Sequence, residues 1–143
     1  SGYTGSVDEA MARTIDRGAR KAVKLAISAP CHCNLMERAA ARLRYDLDQV
    51  HFRDCRVPVI PNCEPAVFHD RTATKELLIR QLTSPVKWQE TIERMVAMGV
   101  DTMVELGPKR ILTGLIRRIS DQVRLLHVED LTSLQQTLSV LKN

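Results

Sequence analysis

Apolar positions recur along the chain with two spacings. In SVDEAMARTIDRG, Val7, Met11, Thr14 and Ile15 fall three or four residues apart, the repeat of one helical face. Ser6 with Glu9 three residues on has the form of a capping box, and Gly18 that of a stop, which together predict a helix between them. KAVKLAIS then reads as a buried strand. Asn34 and Glu37 repeat the capping pattern, and Leu35, Ala39, Leu43 and Leu47 lie on one face of the helix it predicts. VPVIPN, residues 57–62, reads as a short strand followed by a turn-rich loop to about Asp70.

The second half repeats the alternation. TKELLIRQL predicts a short helix, and Ser84 with Pro85 supplies an N-cap and first-turn proline for the next, which turns Ile92, Met95 and Val96 inward and stops at Gly99. DTMVELG is a strand ending at Gly107–Pro108. KRILTGLIRRI is a helix with Ile111, Leu112, Leu115 and Ile119 on one side. VRLLHV is a last strand, and Leu131, Leu134, Leu138 and Leu141 stripe a closing helix. Strands that are continuously apolar and alternate with helices imply crossover connections and a largely parallel sheet flanked by helices, an α/β fold.

Composition narrows the function classes. Aromatic residues are only 3% of the chain, so the core is aliphatic and base-stacking surfaces for nucleic acid are not expected. No apolar run approaches the roughly 18 residues that span a bilayer, and SGYTGSVDEA lacks a signal-peptide pattern. Without an export signal, four cysteines are expected as free thiols in a reducing compartment. The net charge of +4 suits an acidic partner, a phosphate or a plain solvated surface.

Candidate chemistry centres on SAPCHCNLM, residues 28–36. His32 falls between the carboxyl end of a predicted strand and the amino end of a predicted helix, the usual ligand position in open α/β sheets. A helix amino terminus disfavours imidazolium, which predicts a neutral ring able to take a proton. Two alternatives stay open: a packed structural histidine, and a zinc site formed by Cys31, His32, Cys33 and either Cys55 or Cys63. Zinc sites usually space paired cysteines two to four residues apart, a spacing absent here. No Gly-x-Ser-x-Gly nucleophile elbow accompanies the histidine, and Ser28, Ser84, Ser120, Ser133 and Ser139 lack flanking glycines.

Taken together, SAPCHCNLM, VPVIPN, RQLTSPVKW and VELGP…LTGLI resemble the C-terminal part of the malonyl-CoA:acyl carrier protein transacylase family, over about Lys24 to Ile119. The resemblance implies the back portion of an α/β-hydrolase-like acyltransferase core over residues 24–143, with residues 1–23 ending a small ferredoxin-like subdomain. It implies ping-pong transfer of a malonyl group from coenzyme A through a seryl ester to the phosphopantetheine thiol of acyl carrier protein. In that scheme His32 is the general base, the main-chain carbonyl of Gln81 orients its ring, and Cys31 stands beside the α-carbon of the acyl group, where phenylalanine or serine is usual. The serine, the carboxylate-binding arginine and the oxyanion donors lie in an N-terminal part upstream of these residues, so the chain alone is expected to be inactive.

The resemblance implies malonyl-CoA as substrate, no cofactor or metal, and no nucleic-acid or membrane partner. The location it implies is the cytoplasm, or an organellar matrix in a eukaryote. Arg17, Arg20, Lys21, Lys109, Arg110, Arg117 and Arg118 become candidates for docking the acidic carrier protein. GPKR stands where Gly-Pro-Gly-Lys is more common, removing a flexible residue from a strand-to-helix turn. A non-catalytic basic domain that binds an acidic partner is the competing reading.

Overall fold

The computed structural model describes residues 1–142, and its contacts divide the chain into two units, Ser1–Lys87 and the residues from Trp88 onward. The division follows Pro85. A residue before proline is pushed out of the helical region, and Ser84 is accordingly extended, with ψ 146°. Its N–H still donates to the Arg80 carbonyl at 2.9 Å, so Ser84 closes the helix before it and does not cap the next one, which begins only at Trp88.

The first unit holds α1 (Thr4–Asp16), a 3-10 turn (Asn34–Met36) leading into α2 (Glu37–Leu47), and α3 (Thr74–Thr83). Helices α2 and α3 pack together. Ala40, Leu77 and Ile79 are buried, and Arg44 donates two hydrogen bonds, of 2.5 and 2.7 Å, to the Glu76 carboxylate. Lys75 pairs with Asp48 across the same helices. Asp70 closes the amino end of α3 by accepting the N–H groups of Thr72 and Ala73, each at 2.7 Å. The Thr72 hydroxyl and those two N–H groups hold its carboxyl below the usual range.

Neither predicted cap at the starts of α1 and α2 forms. α1 begins at Thr4, with Val7 N–H donating to the Tyr3 carbonyl at 3.0 Å, so Ser6 lies inside the helix. At an exposed helix end water satisfies the free N–H groups, and no side-chain cap is required. Asn34 opens the 3-10 turn without a side-chain cap bond.

Residues 21–28 and 57–62 are not strands. Val23, Leu25 and Ile27 are exposed, Leu25 by 70%, and the Val59 carbonyl accepts the His69 N–H at 2.9 Å instead of entering a ladder. A strand exists only beside a partner that satisfies its backbone groups, and among the described residues neither segment has one.

The second unit contains α4 (Trp88–Ala97), β1 (Thr102–Leu106), α5 (Ile111–Ile116), β2 (Arg124–Val128) and α6 (Leu131–Leu141). β1 and β2 pair in parallel, Thr102 opposite Arg124 and Leu106 opposite Val128. Ile92, Met103, Ile116 and Val123 form the core, with Trp88, Met95 and Val96 packed against it. This is a parallel sheet flanked by helices, an α/β arrangement built on two strands.

α6 turns an unexpected face to the sheet. Its leucines are exposed, while Ser133 and Thr137 are buried. Thr137 Oγ1 donates to the His127 carbonyl at 3.1 Å, and Ser133 N–H donates to Asp130 Oδ1 at 2.7 Å in a capping box. The Ser133 N–H and then its hydroxyl hold the Asp130 carboxyl below the usual range. Thr137 ties the helix to β2, Ser133 caps its start, and the leucine stripe stays exposed. α5 behaves similarly: Thr113 and Ile116 are buried, and Ile111, Leu112 and Leu115 are exposed. Glu105 accepts the Leu112 and Thr113 N–H groups and the Thr113 hydroxyl, the last of which contributes most to lowering its carboxyl.

In the GPKR turn Lys109 has φ 69°, a left-handed conformation that costs a non-glycine residue about 1 kcal/mol. Its N–H donates to the Glu129 carboxylate at 2.9 Å, which offsets the strain. No helix among the described residues is long and apolar enough to cross a membrane.

Candidate functional site

The end of α3 explains the position of His32. The last carbonyls of a helix have no partner within it. Arg80 O is taken by Ser84 N–H, but Gln81 O and Leu82 O are left for other donors, and His32 uses both. Its backbone N–H donates to Leu82 O at 3.0 Å, and its Nδ1 lies 2.7 Å from Gln81 O. A carbonyl only accepts, so Nδ1 carries the proton, and in the neutral ring Nε2 is left as a bare acceptor. His32 also directly precedes Cys33, the N-cap residue of the following 3-10 turn.

His32 is held in this place against its own backbone preference. Its φ is 63°, a left-handed conformation that costs about 1–3 kcal/mol when a non-glycine residue is forced into it. Two bonds to consecutive carbonyls keep it there. The involvement of Leu82 is not visible in the sequence, although Ser84–Pro85 marks the helix end at which free carbonyls must occur.

The half-buried ring lies between two cavities of the first unit. One, of 710 Å³, is lined by His32, Cys33, Leu35, Thr83 and Val86 among others. The other, of 430 Å³, is lined by Cys31, Met11, Val23, Leu25 and Ile27 as well as His32. Cys31 lines the second cavity and Cys33 the first. Cys33 Sγ donates to Pro30 O at 3.1 Å.

All four cysteines are free thiols, Cys55 exposed and Cys63 buried. Among the described residues no three His, Cys, Asp or Glu side chains are grouped to hold a metal ion. The remaining histidines have other surroundings. His51 is exposed, His69 Nδ1 lies 3.3 Å from Thr74 Oγ1, and the buried His127 donates from Nε2 to Gly107 O at 3.1 Å.

No family model matches the chain. It is 35% identical over 142 residues to the malonyl CoA-acyl carrier protein transacylase of Bacillus subtilis, a match covering 99% of this chain and 45% of that protein. Against the transacylase of Escherichia coli K12 the identity is 38% over 121 residues, 85% of this chain and 39% of the relative. The solved structure of the Coxiella burnetii transacylase superposes with a TM-score of 0.92 at 33% identity, over 98% of this chain and 44% of that one.

The chain is homologous to part of the malonyl CoA-acyl carrier protein transacylases. It spans less than half the length of the transacylases it matches. Another similar structure is of a type II PKS acyl-carrier protein in complex with its malonyl-transacylase. There the TM-score is 0.91 at 36% identity, over 96% of this chain and 44% of that one. In the present chain Arg17, Arg20, Lys21, Lys109, Arg110, Arg117 and Arg118 are exposed, and none forms an ion pair among the described residues.

Proposed function

We propose that this chain is the C-terminal part of a transacylase that moves a malonyl group from coenzyme A to the phosphopantetheine thiol of acyl carrier protein, with His32 as general base. The observation that carries the reading is the bond between His32 Nδ1–H and Gln81 O, which leaves Nε2 free to accept a proton.

The chemistry follows from that tautomer. A serine hydroxyl from the remaining length of the enzyme gives its proton to Nε2, and its oxygen attacks the thioester carbonyl of malonyl-CoA. The tetrahedral intermediate collapses, the carbon–sulfur bond breaks, and the departing thiolate takes the proton from Nε2. The carrier's thiol then gives its proton to Nε2 and attacks the seryl ester, and the serine oxygen recovers the proton as it leaves. Cys31, which lines a cavity beside His32, borders the acyl group, and its intermediate bulk sets how much branching the α-carbon tolerates. Residues 1–23 close a small subdomain, and the unpaired cations steer the acidic carrier in the cytoplasm, or in an organellar matrix in a eukaryote.

The surfaces left uncovered support a larger whole. Val23, Leu25 and Ile27 in the first unit and Leu106, Ile111 and Leu131 in the second are large apolar side chains more than half exposed. Both strand-like segments of the first unit also lack ladder partners, as expected where the remaining length of a transacylase packs.

The reading is tested by a chimera in which this chain replaces the matching 142 residues of the Bacillus subtilis relative. The chimera is expected to transfer malonyl from malonyl-CoA to a holo carrier protein, and the chain alone to transfer none. A folded chimera with no transfer above the uncatalysed rate would overturn the proposal.

A further inference from the structure

Two arginines of the second unit line one cleft. The cleft, of 200 Å³, lies over α5, β2 and α6 and is lined by Arg110, Thr113, Arg117, His127, Gln136 and Thr137 among others. Arg110 and Arg117 flank α5 as its N-cap and C-cap residues, and both line the cleft. Neither has an ion-pair partner among the described residues, and nearby carboxylates are engaged elsewhere. Glu105 accepts from the start of α5, Glu129 from Lys109 N–H, and Asp130 from Ser133 N–H.

Of the neutral polar side chains lining the cleft, Gln136 is the one with a free donor among the described residues. The Thr113 and Thr137 hydroxyls donate to Glu105 and to the His127 carbonyl, so the side-chain N–H groups of Arg110, Arg117 and Gln136 remain as donors. Gln136 has no side-chain hydrogen bond among the described residues. His127 closes the wall with a side chain only 4% exposed. Its Nε2–H donates to Gly107 O, and its buried Nδ1 has no partner.

Two forked cations with no counter-charge favour an anion that offers several oxygens at once, and guanidinium matches phosphate in this way. The cleft, of 200 Å³, has room for a phosphate-sized anion. We propose that this cleft binds a phosphate dianion, either free or as the terminal phosphate of a larger molecule whose remainder lies outside.

Calorimetric titration of the chain at low salt tests this with two probes, inorganic phosphate and adenosine 3′,5′-bisphosphate. Saturable one-to-one binding is expected for at least one probe, and R110Q/R117Q is expected to weaken it tenfold or more while leaving the unfolding midpoint unchanged. Should the double variant lose its fold, R110Q and R117Q singly are each expected to weaken binding about threefold. Binding of both probes marks a site for free phosphate; binding of the bisphosphate alone marks one for a phosphate carried on a nucleotide. His32→Ala is expected to bind as the parent does, which separates this result from the fate of the transfer reading. The proposal is overturned if neither probe saturates by 10-mM concentrations, on the order of weak anion affinity, or if the arginine variants bind unchanged.

Discussion

His32→Ala lowers malonyl transfer by a factor of about one hundred or more in a chimera joining this chain to the remaining length of a homologous transacylase. General-base catalysis by a positioned side chain is worth roughly 10²–10⁴ in rate, and no second group among the described residues shares the bond to Gln81 O. The loss falls on kcat, because the ring acts on the proton and does not hold the coenzyme. Folding is largely spared, since the bond to Leu82 O is made by the His32 main chain and survives the substitution. His32→Asn is the companion variant, because asparagine tolerates the left-handed backbone at this position better than alanine does. It too is expected to lose the rate while unfolding at the parent's midpoint. A transfer rate within tenfold of the parent for both variants would remove His32 from the mechanism.

Ile92→Ala destabilises the second unit by about 3 kcal/mol, within the 2–5 kcal/mol typical of truncating a buried isoleucine. Ile92 is 2% exposed at the centre of the cluster with Met103, Ile116 and Val123, so the lost methyl groups leave a cavity that these neighbours refill only in part. Against a total of about 5–15 kcal/mol for an ordinary domain, that is enough to lower the urea midpoint markedly. Trp88, the single tryptophan, packs against the same cluster, and its fluorescence reports the transition. Ile92→Val, which removes one methylene, is expected to cost about 1 kcal/mol. A change below about 1 kcal/mol for Ile92→Ala would mean that the cluster does not hold the unit together.

Particular residues show where the chain was legible. Ile92, Met95 and Val96 lie on the inward face their spacing implies, and Gly99, at φ 84°, follows the helix as a stop should. DTMVELG and VRLLHV pair because each finds the other as a neighbour. KAVKLAIS and VPVIPN have the same apolar character and remain unpaired, since strand formation depends on a partner and composition carries no information about one. The α6 leucines were read correctly as one helical stripe, but the face turned to β2 is chosen by the hydrogen bonds of Ser133 and Thr137. Periodicity locates a stripe without saying whether the contacting face is that one.

At the site, the resemblance singled out His32 and Gln81, and the two residues meet through a main-chain oxygen that no residue identity encodes. Leu82 escaped notice for the same reason. The cleft lined by Arg110 and Arg117 was equally hidden, because two arginines with six residues between them look like scattered charge until α5 is formed.

The free nitrogen of His32 is the claim on which the transfer chemistry rests, and it is measured directly by ¹⁵N-detected two-dimensional NMR of the histidine ring at neutral pH. The expected spectrum shows Nδ1 protonated and hydrogen-bonded and Nε2 with the shift of an unprotonated acceptor. A ring protonated at Nε2 with a bare Nδ1 would contradict the bond to Gln81 and leave no lone pair at the nitrogen assigned to take the serine's proton.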